Sequence, residues 1–302
     1  MSRTQTSLAP TDLQRQYHTI TRKNGITTSL SMAFVILMAM YFLLPLYWLL
    51  VSTTKTTSEL FNTPMLVPAN HLGANLRWLA TYQNGEFWRW VVNSAVYSFV
   101  AAAAGTLISA MAGYALAKYR FRGQRVVSTA VLGSLMVPAA ALTIPIFLLE
   151  KSMGLINTYI GVILPMLVNP FGVYFMSVYI REAMPTELMD SGRVDGASDY
   201  GVFFRIALAI LRPGLVTLFL IIFIGTWNNF FLPLVLLSKS SLYPLPVGLE
   251  IWTANLNSAG TGQPLYPLIL IGSFLSILPM LILFPLLRKY IISGIAAGSI
   301  KS

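Results

Sequence analysis

A charged stretch between two long apolar runs extends from Pro185 to Pro213 and carries Glu187, Asp190, Arg193, Asp195, Asp199, Arg205 and Arg212. Its spacing is not that of an active site, because no nucleophile, base and acid converge there. The chain has no cysteine and only two histidines, His18 and His71. That composition removes disulfides, thiolate metal sites and cysteine nucleophiles, and leaves no histidine-based metal cluster. Nothing matches the GxxxxGK[ST] loop that cradles nucleotide phosphates. What PTELMDSGRVDGASDYGVFFRIALAILRP offers is a polar, glycine-containing segment of helical amphipathicity between two long apolar runs. Such a segment suits noncovalent work, the docking of a soluble partner that moves the membrane helices on either side.

Within it, Pro185 and Thr186 are helix-start residues, and Glu187 favours the positive end of a helix. The pattern predicts a first helix through Leu188 to about Val194, then a turn at Asp195-Gly196, where glycine takes positive φ without a Cβ penalty. Ser198 caps a second helix with Asp199 in its first turn. Phe203, Ile206, Ala207 and Ile210 follow i, i+3, i+4, i+7 spacing and form one apolar stripe, and Pro213-Gly214 ends the element. The competing account is an ordinary amphipathic loop packed on its own protein or on lipid headgroups.

The elements that must hold this connector are membrane helices. Of 302 residues 56% are hydrophobic and 10% charged, against about 25% charged in soluble domains. Six apolar runs of spanning length are expected at Ser29–Leu50, Val91–Ala117, Val126–Leu149, Tyr159–Tyr179, Leu215–Leu237 and Tyr266–Leu287. The first is too long, and lacks the cleavage site, for a signal peptide. The fold class is therefore all-α, with a cytoplasmic tail at 1–28, a six-span domain at 29–290 that includes the connector at 181–213, and a second cytoplasmic tail at 291–302.

Lysine and arginine accumulate on the cytoplasmic side of such proteins. Fifteen of the twenty lie in the N-terminal tail (Arg3, Arg15, Arg22, Lys23), the second-to-third connection (Lys118, Arg120, Arg122, Arg125), the fourth-to-fifth (Arg181, Arg193, Arg205, Arg212) and the C-terminal end (Arg288, Lys289, Lys301). Lys55, Arg77, Arg89, Lys151 and Lys239 remain outside. Both termini are then cytoplasmic, and the net charge of +10 follows topology, not a nucleic-acid groove.

Outside, WLATYQNGEFWRW predicts a short helix near the membrane face, and Ser238–Leu265 reads as a turn region. Pro138, Pro145, Pro165, Pro170, Pro233, Pro279 and Pro285 interrupt the spans, and bent helices around a polar path fit a transporter. No charge falls deep in an expected span, which speaks against a proton-coupled carrier or a charged channel constriction.

ELMDSGRVDGAS followed by FFRIALAILRPG resembles the EAA loop of permease subunits in bacterial ATP-driven (ABC) importers, most closely the carbohydrate type that includes the second permease subunit of the maltose importer. Asp190, Ser191 and Gly192 stand at the EAA positions, and Val194, Asp195, Gly196 and Ala197 match the aliphatic-DGA part. Ile206 and Leu208 match the later Ile-x-Leu, with Ala209 where proline is usual. KTTSELFNTP, WRWVVNSAVYS, GTWNNFFLPLVLL and KYIISGIAAGSIKS carry the likeness along the chain.

The resemblance implies a type I importer permease with no catalysis of its own, in the bacterial plasma (inner) membrane. Its partners would be a homologous second permease, a cytoplasmic ATPase dimer holding the ATP and magnesium, and an extracytoplasmic solute-binding protein. The ATPase-coupling set would be Glu187, Asp190, Ser191, Gly192, Val194, Asp195, Gly196, Ala197, Phe203 and Ile206. Asn169, Tyr174, Trp227, Asn228 and Asn229 have the amide and aromatic chemistry for a hydroxyl-rich solute, a sugar or alternatively a polyol or glycerol phosphate. Polar groups in membrane helices serve helix packing equally well.

Overall fold

The computed structural model describes residues 10–256 and 265–296, and the elements formed there are helical. In order they are α1 (Pro10–Ser52), α2 (Thr57–Asn62), α3 (Leu72–Thr81), α4 (Glu86–Lys118), α5 (Gln124–Ser134), α6 (Thr143–Ser152), α7 (Tyr159–Leu167) and α8 (Pro170–Ala183). There follow α9 (Glu187–Val194), α10 (Asp199–Gly201), a π-helical turn at Val202–Ala207, α11 (Leu208–Ile210), α12 (Arg212–Trp227), α13 (Phe231–Leu236), α14 (Leu245–Leu256) and α15 (Tyr266–Ala296). Arg3 and Lys301 lie outside the described residues, as do the side chains of Arg15, His18, Arg22, Lys23, Arg288 and Lys289.

Among the described residues four stretches are long and apolar enough to cross a bilayer: Thr28–Ser52, Leu72–Lys118, Tyr159–Ala183 and Tyr266–Pro285. Two bent pairs raise the number to six if each is one span: Gln124–Ser134 with Ala139–Ser152, bent by 102°, and Asp199–Ile210 with Arg212–Trp227, bent by 81°. The expected third span is thus two helices meeting at a sharp corner. Pro138 sits there in extended backbone, since it lacks the donor that would continue the helix.

Three further expectations are adjusted. The expected break between the connector and the fifth span is present, but it falls at Leu211, and Pro213-Gly214 lies just beyond it in the first turn of α12, where proline is tolerated. The expected fifth span stops at Trp227, and α13 forms after a break at Asn228–Phe230. The turn region Ser238–Leu265 contains α14, whose Leu245, Val247 and Trp252 are buried. The apolar stripe that buries α14 is short, and flanking serine and proline masked it.

The core is organised on α4, at 33 residues about 50 Å long. It packs against α8 and α12, and α12 packs in turn on α15. Small residues permit the approach: a Cβ on Gly113 would fall 2.7 Å from Met176 Cβ, and one on Gly172 would fall 2.6 Å from Ser109 Oγ. Lipid gives no hydrophobic drive between helices, so close van der Waals packing of this kind supplies the association. The outward face of α1, including Leu30, Phe34 and Phe42, is exposed, as a lipid-facing helix requires.

One end of α4 is stapled to residues 240–245. Trp90 Nε1 donates to Ser240 O at 3.0 Å, Asn93 Nδ2 to Ser241 O and Tyr243 O at 3.0 Å each, and Tyr97 OH to Leu242 O at 2.9 Å. Ser94 Oγ accepts from Leu245 N at 2.7 Å. These side chains stand at i, i+3, i+4 and i+7, one helical face. At the same end Lys55 is buried, donating to Thr63 Oγ1 (3.0 Å) and Pro64 O (2.7 Å), and Thr56 and Glu59 form a capping box on α2. The Thr56 backbone N–H, then its hydroxyl, hold the Glu59 carboxyl below its ordinary value.

Candidate functional site

The connector lies at the other end of α4, with one face packed on the core and the other open. α9 ends in a Schellman motif: Ala197 N donates to Gly192 O and Gly196 N to Arg193 O, both at 3.0 Å, with Gly196 at φ +80°. The chain then turns into Ser198, whose hydroxyl accepts from Gly201 N at 3.2 Å. The predicted turn and cap are both present. Thr186, by contrast, makes no side-chain capping bond, and the π-helical turn was not legible in the stripe.

The inner face joins the core. Met189, Val202, Phe203 and Ala207 are buried, with Ile206 half-buried beside them. A Cβ on Gly192 would stand 2.9 Å from Ile206 Cδ1 and 3.2 Å from Val202 Cγ2, so the residue with weakest helix propensity is where the two halves of the connector meet. Phe203 packs on Tyr114 of α4, ring centroids 5.1 Å apart. Connector and α4, the mast of the bundle, are thereby one packed unit.

The outer face is open. Val194 is 87% and Tyr200 75% exposed, and Glu187, Asp190, Ser191, Asp195 and Gly196 are exposed with them. Sequence reasoning missed the residue that ties this face together. Arg193 donates to Asp199 Oδ1 from Nε (3.0 Å) and Nη2 (2.9 Å), lies 3.7 Å from Asp190, and sits 6.0 Å above the Tyr119 ring. Its hydrogen bond to Asp199 pushes the guanidinium further up, while burial, then the Asp199 charge, raises the Tyr119 phenol. A cavity of about 310 Å³ opens beside them, lined by Met111, Tyr114, Ala115, Tyr119, Asp199, Tyr200 and Phe203.

The solute-facing candidates separate into two kinds. Trp227 is buried and donates to Ser276 O at 3.1 Å, a tie between α12 and α15. Asn169 caps α8, accepting from Gly172 N at 2.8 Å. Asn229 donates to Met166 Sδ at 3.4 Å, which draws the break after α12 towards the end of α7. Asn228 and Tyr174 are exposed. Non-helical backbone at membrane depth is tolerated where it is buried in protein or lines a wet cavity. Nearer the stapled end, Glu150 lies one residue beyond the expected third span and is buried, its Oε2 without a hydrogen-bond partner. Among the described residues no group of three His, Asp or Glu could hold a metal ion.

A multi-span helical protein with a two-faced polar connector is the class these features define. Residues 105–297 match the model of the binding-protein-dependent transport system inner membrane component, and the chain belongs to that family. It is 35% identical over 276 residues to the arabinooligosaccharides transport system permease protein of Halalkalibacterium halodurans, covering 90% of this chain and 95% of that one. It is 31% identical to the lactose transport system permease protein of Rhizobium radiobacter, covering 85% and 90%. The fold is shared with a chain from a crystal structure of a bacterial ABC transporter involved in import of the acidic polysaccharide alginate, at TM-score 0.76 and 23% identity over 95% of this chain and 99% of that one. The protein is thus a multi-pass inner-membrane permease component of an ABC import system, with hydrolysis of ATP belonging to a separate subunit.

Proposed function

We propose that this chain is one of the permease subunits of a carbohydrate importer, and that residues 185–213 are its EAA connector, received by a cytoplasmic ATPase dimer. Relatives named for arabinooligosaccharides, lactose and diacetylchitobiose support the solute class. One observation carries the coupling role: Phe203 is buried on Tyr114 of α4 while Val194 and Tyr200 of the same connector stand 87% and 75% exposed. A rigid element with one face in the core transmits displacement, whereas a loose tether does not. ATP binding would bias the pathway outward and product release inward, an equilibrium that nucleotide and the loaded binding protein shift differently. A second, homologous permease completes the pathway. Asn228, Asn229 and Tyr174 then offer hydrogen bonds and a ring face to hydroxyl-rich solute.

The distribution of basic residues supports a cytoplasmic location for both termini and the connector. Reporter fusions at His71 and Ser191 are expected on opposite sides of the membrane, and finding both on one side would overturn the orientation.

Asp190 tests the docking face. Its side chain is 66% exposed and, among the described residues, forms an ion pair only with Arg193, at 3.7 Å, so in a free loop its loss would be nearly silent. At an interface, losing a buried charged contact costs about 2–5 kcal/mol. Asp190→Lys is therefore expected to cut ATPase co-elution and permease-dependent ATP hydrolysis about thirtyfold or more, while Asp190→Glu stays close to the natural chain. Full assembly and hydrolysis with Asp190→Lys would remove Asp190 from the docking face.

A further inference from the structure

Beside the connector a second cavity, about 380 Å³, is lined by Leu116, Ala117, Lys118, Tyr119, Arg120, Gln124, Arg181 and Thr186. Three cations border it and no carboxylate does. Lys118 Nζ donates to Met184 O, and Arg181 Nη2 donates to Leu116 O at 3.4 Å. Both acceptors are neutral, so the positive charge is oriented but not compensated. No salt bridge among the described residues involves Lys118, Arg120 or Arg181. Glu187 is the carboxylate whose field reaches Lys118, and it forms no ion pair with it.

The place of the cavity in the fold restricts what can fill it. Lys118 is the last residue of one candidate span, and Arg181 lies two residues before the end of another, at Ala183. Two spans ending together put the cavity at the level of the lipid headgroups. There, phosphodiester anions are the concentrated counter-charge, and each nearby Lys or Arg attracts them. A volume of about 380 Å³ is within the range of small-ligand sites. Gln124 and Thr186 add neutral hydrogen-bonding groups, suited to the glycerol hydroxyls of a headgroup.

We propose that this cavity is a binding site for the headgroup of an anionic phospholipid. Lys118, Arg120 and Arg181 hold the phosphate, and the bound headgroup bridges the loop after α4 to Thr186, immediately before α9. The lipid acts as a mortar between mast and connector, and the site does not depend on which solute the protein carries.

The test uses the full chain in nanodiscs and native mass spectrometry of detergent extracts. Retained lipid per chain and thermal unfolding are measured with phosphatidylglycerol, with phosphatidylcholine, and with phosphatidylcholine plus free inorganic phosphate. The natural chain is expected to retain phosphatidylglycerol and to unfold at higher temperature in it than in phosphatidylcholine. Arg120→Gln and Arg181→Gln should each weaken retention about fivefold. Arg122→Gln and Arg125→Gln, which remove the same charge from the same connection but do not line the cavity, should leave retention unchanged. Three results would overturn the site: equal loss in all four variants, which is a diffuse surface field; stabilisation by free phosphate equal to that by phosphatidylglycerol; or no difference between the two lipids in the natural chain. Should Arg181→Gln alone fold poorly, Arg120→Gln decides, since Arg120 is exposed at the cavity's edge.

Discussion

Gly113→Val is expected to leave little correctly folded protein in the membrane. A Cβ at this position would lie 2.7 Å from Met176 Cβ, 2.8 Å from Ser177 N and 3.0 Å from Met176 C. Two of those atoms are backbone, so no rotamer change relieves the contact, and α4 and α8 must move apart along their whole interface. Overpacking typically costs about 1–3 kcal/mol, and a contact between two helix backbones falls at the upper end or beyond, about 3 kcal/mol or more. Since α4 also carries Tyr114 and the staple to residues 240–245, both ends of the molecule would lose their support. The measurement is the monodisperse fraction after detergent extraction, with Gly225→Val as control, since a Cβ there meets nothing within 4 Å. Equal yields from the two variants would show that α4 and α8 do not pack this closely.

Gly196→Val is expected to spare insertion while weakening ATPase association and reducing transport. A Cβ at Gly196 has nothing within 4 Å, yet φ is +80°, so the whole effect is backbone strain and not a clash. The left-handed region costs an L-residue about 1–2 kcal/mol, and a β-branched side chain fits it worst. Losing that conformation breaks both hydrogen bonds of the Schellman motif and turns Val194 and Asp195 away from the partner. Permease-dependent ATP hydrolysis should fall about tenfold or more with valine, less with alanine, and least with asparagine, which tolerates positive φ. A valine variant as active as the natural chain at equal expression would refute the role of the turn.

The connector was largely readable because its signals are local. A glycine after aspartate, a serine before aspartate and an i, i+3, i+4, i+7 stripe each act within a few residues. What escaped depends on partners far away in sequence. Arg193 looked like one more topology charge, and only the fold brings Asp199 and Tyr119 to it. WRWVVNSAVYS shows no local sign of its task; the fold brings segment 240–245 to it, which Trp90, Asn93, Ser94 and Tyr97 hold. α14 was lost to its serine- and proline-rich flanks, although Gly248 exists to admit the Trp90 ring, whose Cε3 would stand 2.1 Å from a Cβ there. Prolines announced breaks, but whether a break becomes a 102° corner or a continuing helix is decided by tertiary packing.

The central claim is that the exposed face of the connector meets the ATPase, and the absence of cysteine makes it directly testable. Val194→Cys places a single thiol on the outer face of α9, at a position 87% exposed, and Met65→Cys places one near the opposite end of the molecule, at 63%. A short thiol-to-amine cross-linker is added to membranes containing the assembled importer, and products are resolved by mass. A permease–ATPase adduct from Val194→Cys, with none from Met65→Cys, is the predicted result. An ATPase adduct at Met65→Cys and none at Val194→Cys would contradict it.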